Sequence, residues 1–210
     1  MPRFSPRSVG IACAMLALAG CAPANNEVEA VAQDAAAPAT EAGEASAQEV
    51  PDLIVTSEAL QAGQPVPVEF TGDGTDVSPP LAWTGAPEGA KTFALVCDDP
   101  DAPTPKPWVH WVIYSIPAVV SELPAGIAKQ ATLTQPEKLQ GVKQGKNGWG
   151  QVGYRGPAPP PGKPHRYYFT VYALDEALVL GPELTKDELL AAIDGHIMAE
   201  GQLMATYQRR

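Results

Sequence analysis

Proline placement constrains the fold of this chain more than any other feature. Of its 23 prolines, four fall within residues 100–107 (Pro100, Pro103, Pro105, Pro107) and five within 157–164 (Pro157, Pro159, Pro160, Pro161, Pro164). Proline locks φ and brings no N–H to a ladder, so neither segment can run inside a sheet or a helix. Both must be loops of fixed shape. Against them stand the most strand-like stretches: 92–97 (TFALVC), 108–116 (WVHWVIYSI) and 166–174 (RYYFTVYAL), rich in β-branched and aromatic residues. The first is nearly all apolar, as a central strand covered on both faces would be. Residues 53–55 and 66–70 read as further strands, the second running into a turn at Thr71-Gly72-Asp73-Gly74. Rigid loops alternating with strands, together with 19 glycines, exclude a helical bundle or coiled coil.

Helix signals come late. Thr185-Lys186-Asp187-Glu188 is a capping box ahead of Leu189-Leu190, and residues 196–207 carry Ile197, Leu203 and Met204 near helical spacing. The second stretch therefore reads as another helix, with His196 on it in a structural role. The expected class is mostly β with short helices near the C-terminus, and no internal repeat is visible.

Residues 1–20 stand apart from any fold. Arg3 and Arg7 precede an apolar run over 9–19, which is too short for a bilayer needing roughly 20 apolar residues but right for a signal peptide. Leu18-Ala19-Gly20-Cys21 resembles the bacterial lipobox, which implies an acylated Cys21 as the mature N-terminus. Ala22 then points to the outer membrane, facing the periplasm. Residues 21–50 hold six acids, no Lys or Arg and no large apolar residues to pack, so they read as a flexible acidic tether. One domain remains over 51–210, long enough to build its core without staples. With Cys13 in the signal and Cys21 lipidated, Cys97 has no disulfide partner and reads as a buried thiol. A formal charge of −10 with no dense basic face excludes nucleic acid as a partner.

Residues with chemistry gather at the two proline segments. The first opens with Asp98-Asp99-Pro100-Asp101-Ala102-Pro103 and leads into Trp108-Val109-His110-Trp111; the second gives Gly153-Tyr154-Arg155-Gly156-Pro157, then His165-Arg166-Tyr167. Strand alternation puts Trp108 and His110 on one face, and His165 with Tyr167 together, with Arg166 opposite. Neighbouring loops would thus assemble two imidazoles, two carboxylates, a phenol and a Gly-containing turn. Such a set suits an anion. The Tyr167 hydroxyl and the imidazoles can donate, and backbone N–H groups around Gly156 can form a nest. A carboxylate belongs there only if it accepts from one histidine nitrogen, favouring the charged ring and turning the other nitrogen outward; Asp99 is assigned that role or the bracing of its loop. A phosphate-like anion should then bind better at about pH 5 to 6 than at pH 8.

The order and spacing of these elements resemble the phosphatidylethanolamine-binding protein family, in its bacterial Raf-kinase-inhibitor-like branch. The matching pieces are DPDAP at 99–103, Trp-x-His at 108–110, GPxPPxG…HRY over 156–167, SPPLAW at 78–83, and Gly195-His196 with Glu200…Tyr207. They span essentially 51–210. The resemblance implies a large central β-sheet with a second small sheet, and C-terminal helices near a shallow pocket for small anions or phospholipid headgroups. It assigns that pocket to Asp99, Asp101, His110, Gly156, Pro157, His165 and Tyr167, and implies no cofactor, metal or catalysis. The run Pro159-Pro160-Pro161 departs from the eukaryotic pattern, and the kinase-binding role known there depends on partners a bacterial envelope lacks.

Three other functions compete on the residues alone. Two His and two Asp suit a metal ion, though no tight HxxxH or CxxC spacing supports one. A hydrolase would need Asp–His acid/base work on water, since no Gly-x-Ser-x-Gly elbow or P-loop is present. An envelope protein-interaction or inhibitor module would leave the pocket inessential, and a phenotype that survives His110→Ala would favour it.

Overall fold

The computed structural model describes residues 52–209. Residues 1–20 and 21–50, expected from sequence to be a signal peptide and an acidic tether beginning at Cys21, lie outside the described residues. The domain is built on a five-stranded antiparallel sheet in the order β6-β4-β3-β7-β8 and a three-stranded sheet in the order β1-β2-β5. The strands are β1 Ile54–Thr56, β2 Leu81–Thr84, β3 Thr92–Asp99, β4 Trp108–Pro117, β5 Glu122–Leu123, β6 Lys143–Gln144, β7 His165–Leu174 and β8 Ile197–Tyr207. One helix, α1, covers Lys186–Ile193.

Strand β3 is the centre, hydrogen-bonded to β4 on one side and β7 on the other. Its alternation serves two cores. Phe93, Leu95 and Cys97 pack into the larger one with Trp83, Trp111, Phe169 and Val171. Ala94 and Val96 face the smaller one with Val112, Tyr114, Leu189 and Ile193, roofed by α1. The near-continuous apolar run thus reflects a strand covered on both faces. Phe93 meets Trp83 of the small sheet edge-on, with ring centroids 5.2 Å apart. Each such fully buried side chain stabilises the fold by about 1.5–3 kcal/mol.

The capping box at α1 forms as its sequence indicates: Glu188 N–H donates to Thr185 Oγ1, and Thr185 N–H donates to Glu188 Oε2 at 2.8 Å. Two sequence expectations need correction. Residues 66–70 are not a strand. Pro65 and Pro67 deny the segment its donors, Val68–Phe70 forms a single 3-10 turn, and only Val66 N–H reaches β8, donating to Thr206 O at 2.7 Å. Nor is there a second C-terminal helix: 197–207 is the long edge strand β8, antiparallel to β7 through ten registered pairs. Ala199, Leu203 and Ala205 point inward at period two, and Gly201 is small because the chain at Leu53 lies across it. Leu53 N–H donates to Glu200 O at 2.7 Å, and a Cβ on residue 201 would overlap the Leu53 carbonyl. His196 accordingly sits in the turn at Gly195, its Nδ1 2.9 Å from Asp175 Oδ1.

Candidate functional site

The site lies where β3 ends and β4 and β7 begin. Antiparallel pairing sets Asp99 opposite Trp108 and Asp98 opposite Tyr168, so both proline loops leave the sheet at one edge. Between Cys97 and Asp98 the register with β4 slips by one, leaving His110 as the residue without a partner on β3. A bulge of this kind re-aims side chains. It places His110 beside Trp111 on the large-core face, where strict alternation would have separated them. The freed backbone of His110 turns to the second loop: Arg155 N–H donates to His110 O at 2.9 Å. The ring follows, with His110 Nδ1–H donating to Arg155 O at 2.6 Å.

Four of the seven residues expected at the site line one cavity of about 220 Å³: Asp99, His110, His165 and Tyr167. Its walls are largely apolar, made of Trp108, Trp149, Ala102 and Pro103 from one side and Ala158, Pro159 and Pro160 from the other. Asp99 is 3% exposed, and both its oxygens are engaged. Oδ2 accepts from His165 Nδ1 at 2.7 Å, and Oδ1 accepts from Asp101 N–H at 2.8 Å. The carboxylate thus both orients a histidine and braces its own loop. It leaves Nε2 as the free nitrogen of His165, just as Arg155 O leaves Nε2 free on His110. In the neutral ring that nitrogen accepts; only the imidazolium donates from it.

Electrostatics divides the set. Burial pushes the His110 pKa below its ordinary value, against the opposing pull of the Arg155 carbonyl and of Asp99 and Asp98, so the ring is neutral at pH 7. Tyr167 is fully buried, its ring edge-on to His110 at 5.1 Å, and burial together with the Asp99 charge drives its pKa far upward. Its hydroxyl stays protonated and lies close to the Asp99 carboxylate, but makes no hydrogen bond of ordinary geometry. The site therefore holds one committed carboxylate, two ring nitrogens and a buried O–H.

The other three residues lie elsewhere. Asp101 turns away from the cavity and grips Arg166 on the outer face: Oδ1 accepts from Nη2 at 2.7 Å, and Oδ2 accepts from both Nε and the backbone N–H at 2.9 Å. This fork holds its carboxyl down at about 2. Gly156 offers no nest. Its N–H is already given to Asp76 Oδ1 at 2.6 Å, and its Cα packs against the Phe70–Thr71 backbone, where a Cβ would lie 2.7 Å from Thr71. Pro157 has no N–H, and its carbonyl accepts from Gly72 N–H at 2.9 Å. Both residues underpin the loop and neither lines the cavity.

Trp149 and Arg155 were not anticipated. Trp149 is 37% exposed, stands edge-on to Trp108 and His110 at 5.3 and 5.2 Å, and carries the Arg155 guanidinium 4.4 Å over its ring. Asn147 holds it in place, accepting from Trp149 N–H at 3.0 Å and Gln151 N–H at 3.1 Å. The signal was the tetrad Asn147-Gly148-Trp149-Gly150, a turn with one large aromatic, whose Gly148 leaves no room for a Cβ against Trp108. Cys97 is buried in the core, its thiol pKa raised by burial. Among the described residues no group of three or more His, Cys, Asp or Glu could hold a metal ion.

The model of the phosphatidylethanolamine-binding protein family matches residues 56–208, a stretch that contains the whole five-stranded sheet, α1 and every residue of the cavity. The chain belongs to this family. A UPF0098 protein of Methanothermobacter thermautotrophicus is 45% identical over 144 residues, covering 69% of this chain and 91% of its own. Another from Chlamydia trachomatis is 40% identical over 161 residues, covering 75% and 99%. Among solved structures, the PEBP homologue CT736 of C. trachomatis is 37% identical with a TM-score of 0.67, covering 76% of this chain and 99% of its own. YbcL of E. coli is similar at 33% identity, with the same score and coverage. The two sheets of this PEBP-family chain are those the resemblance implied; its C-terminal portion holds one helix and a strand in place of several helices.

Proposed function

We propose that this chain is a lipid-anchored bacterial envelope protein that binds, without catalysis, a small phosphate-like anion or phospholipid headgroup in the cavity between the proline loops. One observation carries this: Asp99, His110, His165 and Tyr167 line one largely apolar cavity, with the Tyr167 hydroxyl buried, protonated and without a hydrogen bond of ordinary geometry. A buried polar group without a partner costs about 1–3 kcal/mol, which an acceptor oxygen of a ligand would recover. The apolar collar lowers the local polarity, which strengthens such bonds. Family membership supports a binding role. The anchor at Cys21, on the periplasmic side of the outer membrane, rests on Leu18-Ala19-Gly20-Cys21, and Cys21→Ala should release the protein from the membrane fraction.

Because His110 is neutral when free and donates from Nε2 only as the imidazolium, binding of an anion takes up a proton. Affinity should rise as pH falls, by up to about tenfold per unit while the free ring stays neutral. Calorimetry with sulfate, whose charge is constant between about pH 5 and 8, tests this without interference from ligand titration. Tighter binding at the acidic end is expected; affinity independent of pH, or no binding at any pH, overturns it.

A further inference from the structure

Which charge a ligand should carry beyond its anionic head follows from the charges already committed around the cavity. Every carboxylate near it is engaged: Asp99 with His165, Asp101 with Arg166, Asp76 with Lys129, and Asp73 with Arg209. Of the three arginines among the described residues, Arg166 and Arg209 are held by those carboxylates. Arg155 has none; its only side-chain hydrogen bond is a long one, 3.4 Å, to Gln151 Oε1. It is nevertheless fixed in place, stacked on Trp149. Trp149 and Ala158 form a shared wall: on one side lies the apolar cavity, on the other a polar cleft of about 530 Å³ bounded by Arg155, Gln151, Asp76 and Arg209. A ligand whose anionic head sits by Tyr167 and whose remainder passes Trp149 meets one uncommitted charge, and it is positive.

Building on the function proposed above, we infer that Arg155 is a specificity residue, and that the site selects phosphoesters bearing a second anionic group over zwitterionic ones such as phosphoethanolamine. An ammonium group leaving the cavity finds no free carboxylate and approaches a guanidinium, whereas a carboxylate finds a pre-oriented partner with fork geometry. One charge-assisted bond corresponds to a preference of roughly tenfold or more.

The experiment compares O-phosphoserine with phosphoethanolamine by calorimetry on the wild-type domain and on Arg155→Gln. Phosphoserine should bind at least about tenfold tighter, and the ratio should fall to near one in the variant. The ratio is the readout because general damage to the cavity would weaken both ligands together. Equal affinities, tighter phosphoethanolamine, or a ratio that persists in Arg155→Gln overturns the inference while the anion cavity stands. Failure of both ligands and of sulfate on the wild type overturns the cavity itself. Phosphatidylcholine vesicles with and without phosphatidylserine separate the sources: selective capture by the serine lipid assigns the group to a headgroup, and binding of soluble phosphoserine alone assigns it to a free phosphoester. Either result supports the charge rule.

Discussion

Gly156→Ala separates two physical roles for one residue. If Gly156 served as an anion nest, alanine would preserve it, since the N–H remains. If there were room for a methyl group, the reduced freedom of the unfolded chain would stabilise the protein by about 0.4–1 kcal/mol. The structure leaves no room. The added Cβ would stand 2.7 Å from Thr71 Cα and C and closer still to the Phe70 carbonyl oxygen, all of them backbone atoms. Relief requires the 154–158 loop and the 70–72 turn to part. Three hydrogen bonds join them or brace them: Tyr154 Oη–H to Phe70 O at 2.6 Å, Gly72 N–H to Pro157 O at 2.9 Å, and Gly156 N–H to Asp76 Oδ1 at 2.6 Å. Overpacking costs about 1–3 kcal/mol, and losing one or two of these bonds about 1 kcal/mol each, so a destabilisation of about 3 kcal/mol is expected. At about 2–4 °C per kcal/mol for a domain of this size, Tm should drop by roughly 10 °C. Urea unfolding should show a lower midpoint at unchanged slope. A change within about 0.5 kcal/mol, or any stabilisation, would refute the steric account.

Tyr167→Phe removes a buried hydroxyl that makes no hydrogen bond of ordinary geometry, so the domain should hold its stability or gain about 1 kcal/mol in urea melts while sulfate affinity falls roughly tenfold. Loss of stability with affinity intact would contradict the assignment. Asp101 has its folded pKa depressed to about 2 by Arg166, so its contribution to stability is complete above the unfolded carboxylate pKa and fades as pH falls from about 4 toward 2. Asp101→Asn should flatten that part of the stability–pH profile, and because the pair faces solvent the cavity's affinity for sulfate at pH 5 should stay the same.

How far the sequence reached depends on what each segment packs against. Strands β3 and β4 were legible because both of their faces are apolar, β7 because its β-branched and aromatic residues bury every second position, and all three because proline bounds them. Strand β8 reads as a helix in sequence because three of its inward positions, Ala199, Gly201 and Ala205, are small, the glycine being required where the chain at Leu53 crosses it, so its alternation carries little hydrophobic contrast. At the site, period two placed His165 and Tyr167 together and Arg166 opposite, which told against Asp101 as a cavity residue once the Asp101–Arg166 fork is seen. The tie between the His110 ring and Arg155 and the loss of Gly156's donor to Asp76 depend on contacts between residues 45 and 80 apart in the chain, which no local pattern encodes.

The atom that fixes the His110 ring is a main-chain oxygen, and this has a consequence for how such a pocket can diversify. Any side chain at position 155 presents the same carbonyl, so a substitution there leaves the imidazole's tautomer undisturbed. Under the function proposed above, ligand choice and proton response would then be written on separate parts of one residue, and selection could revise the first while inheriting the second intact.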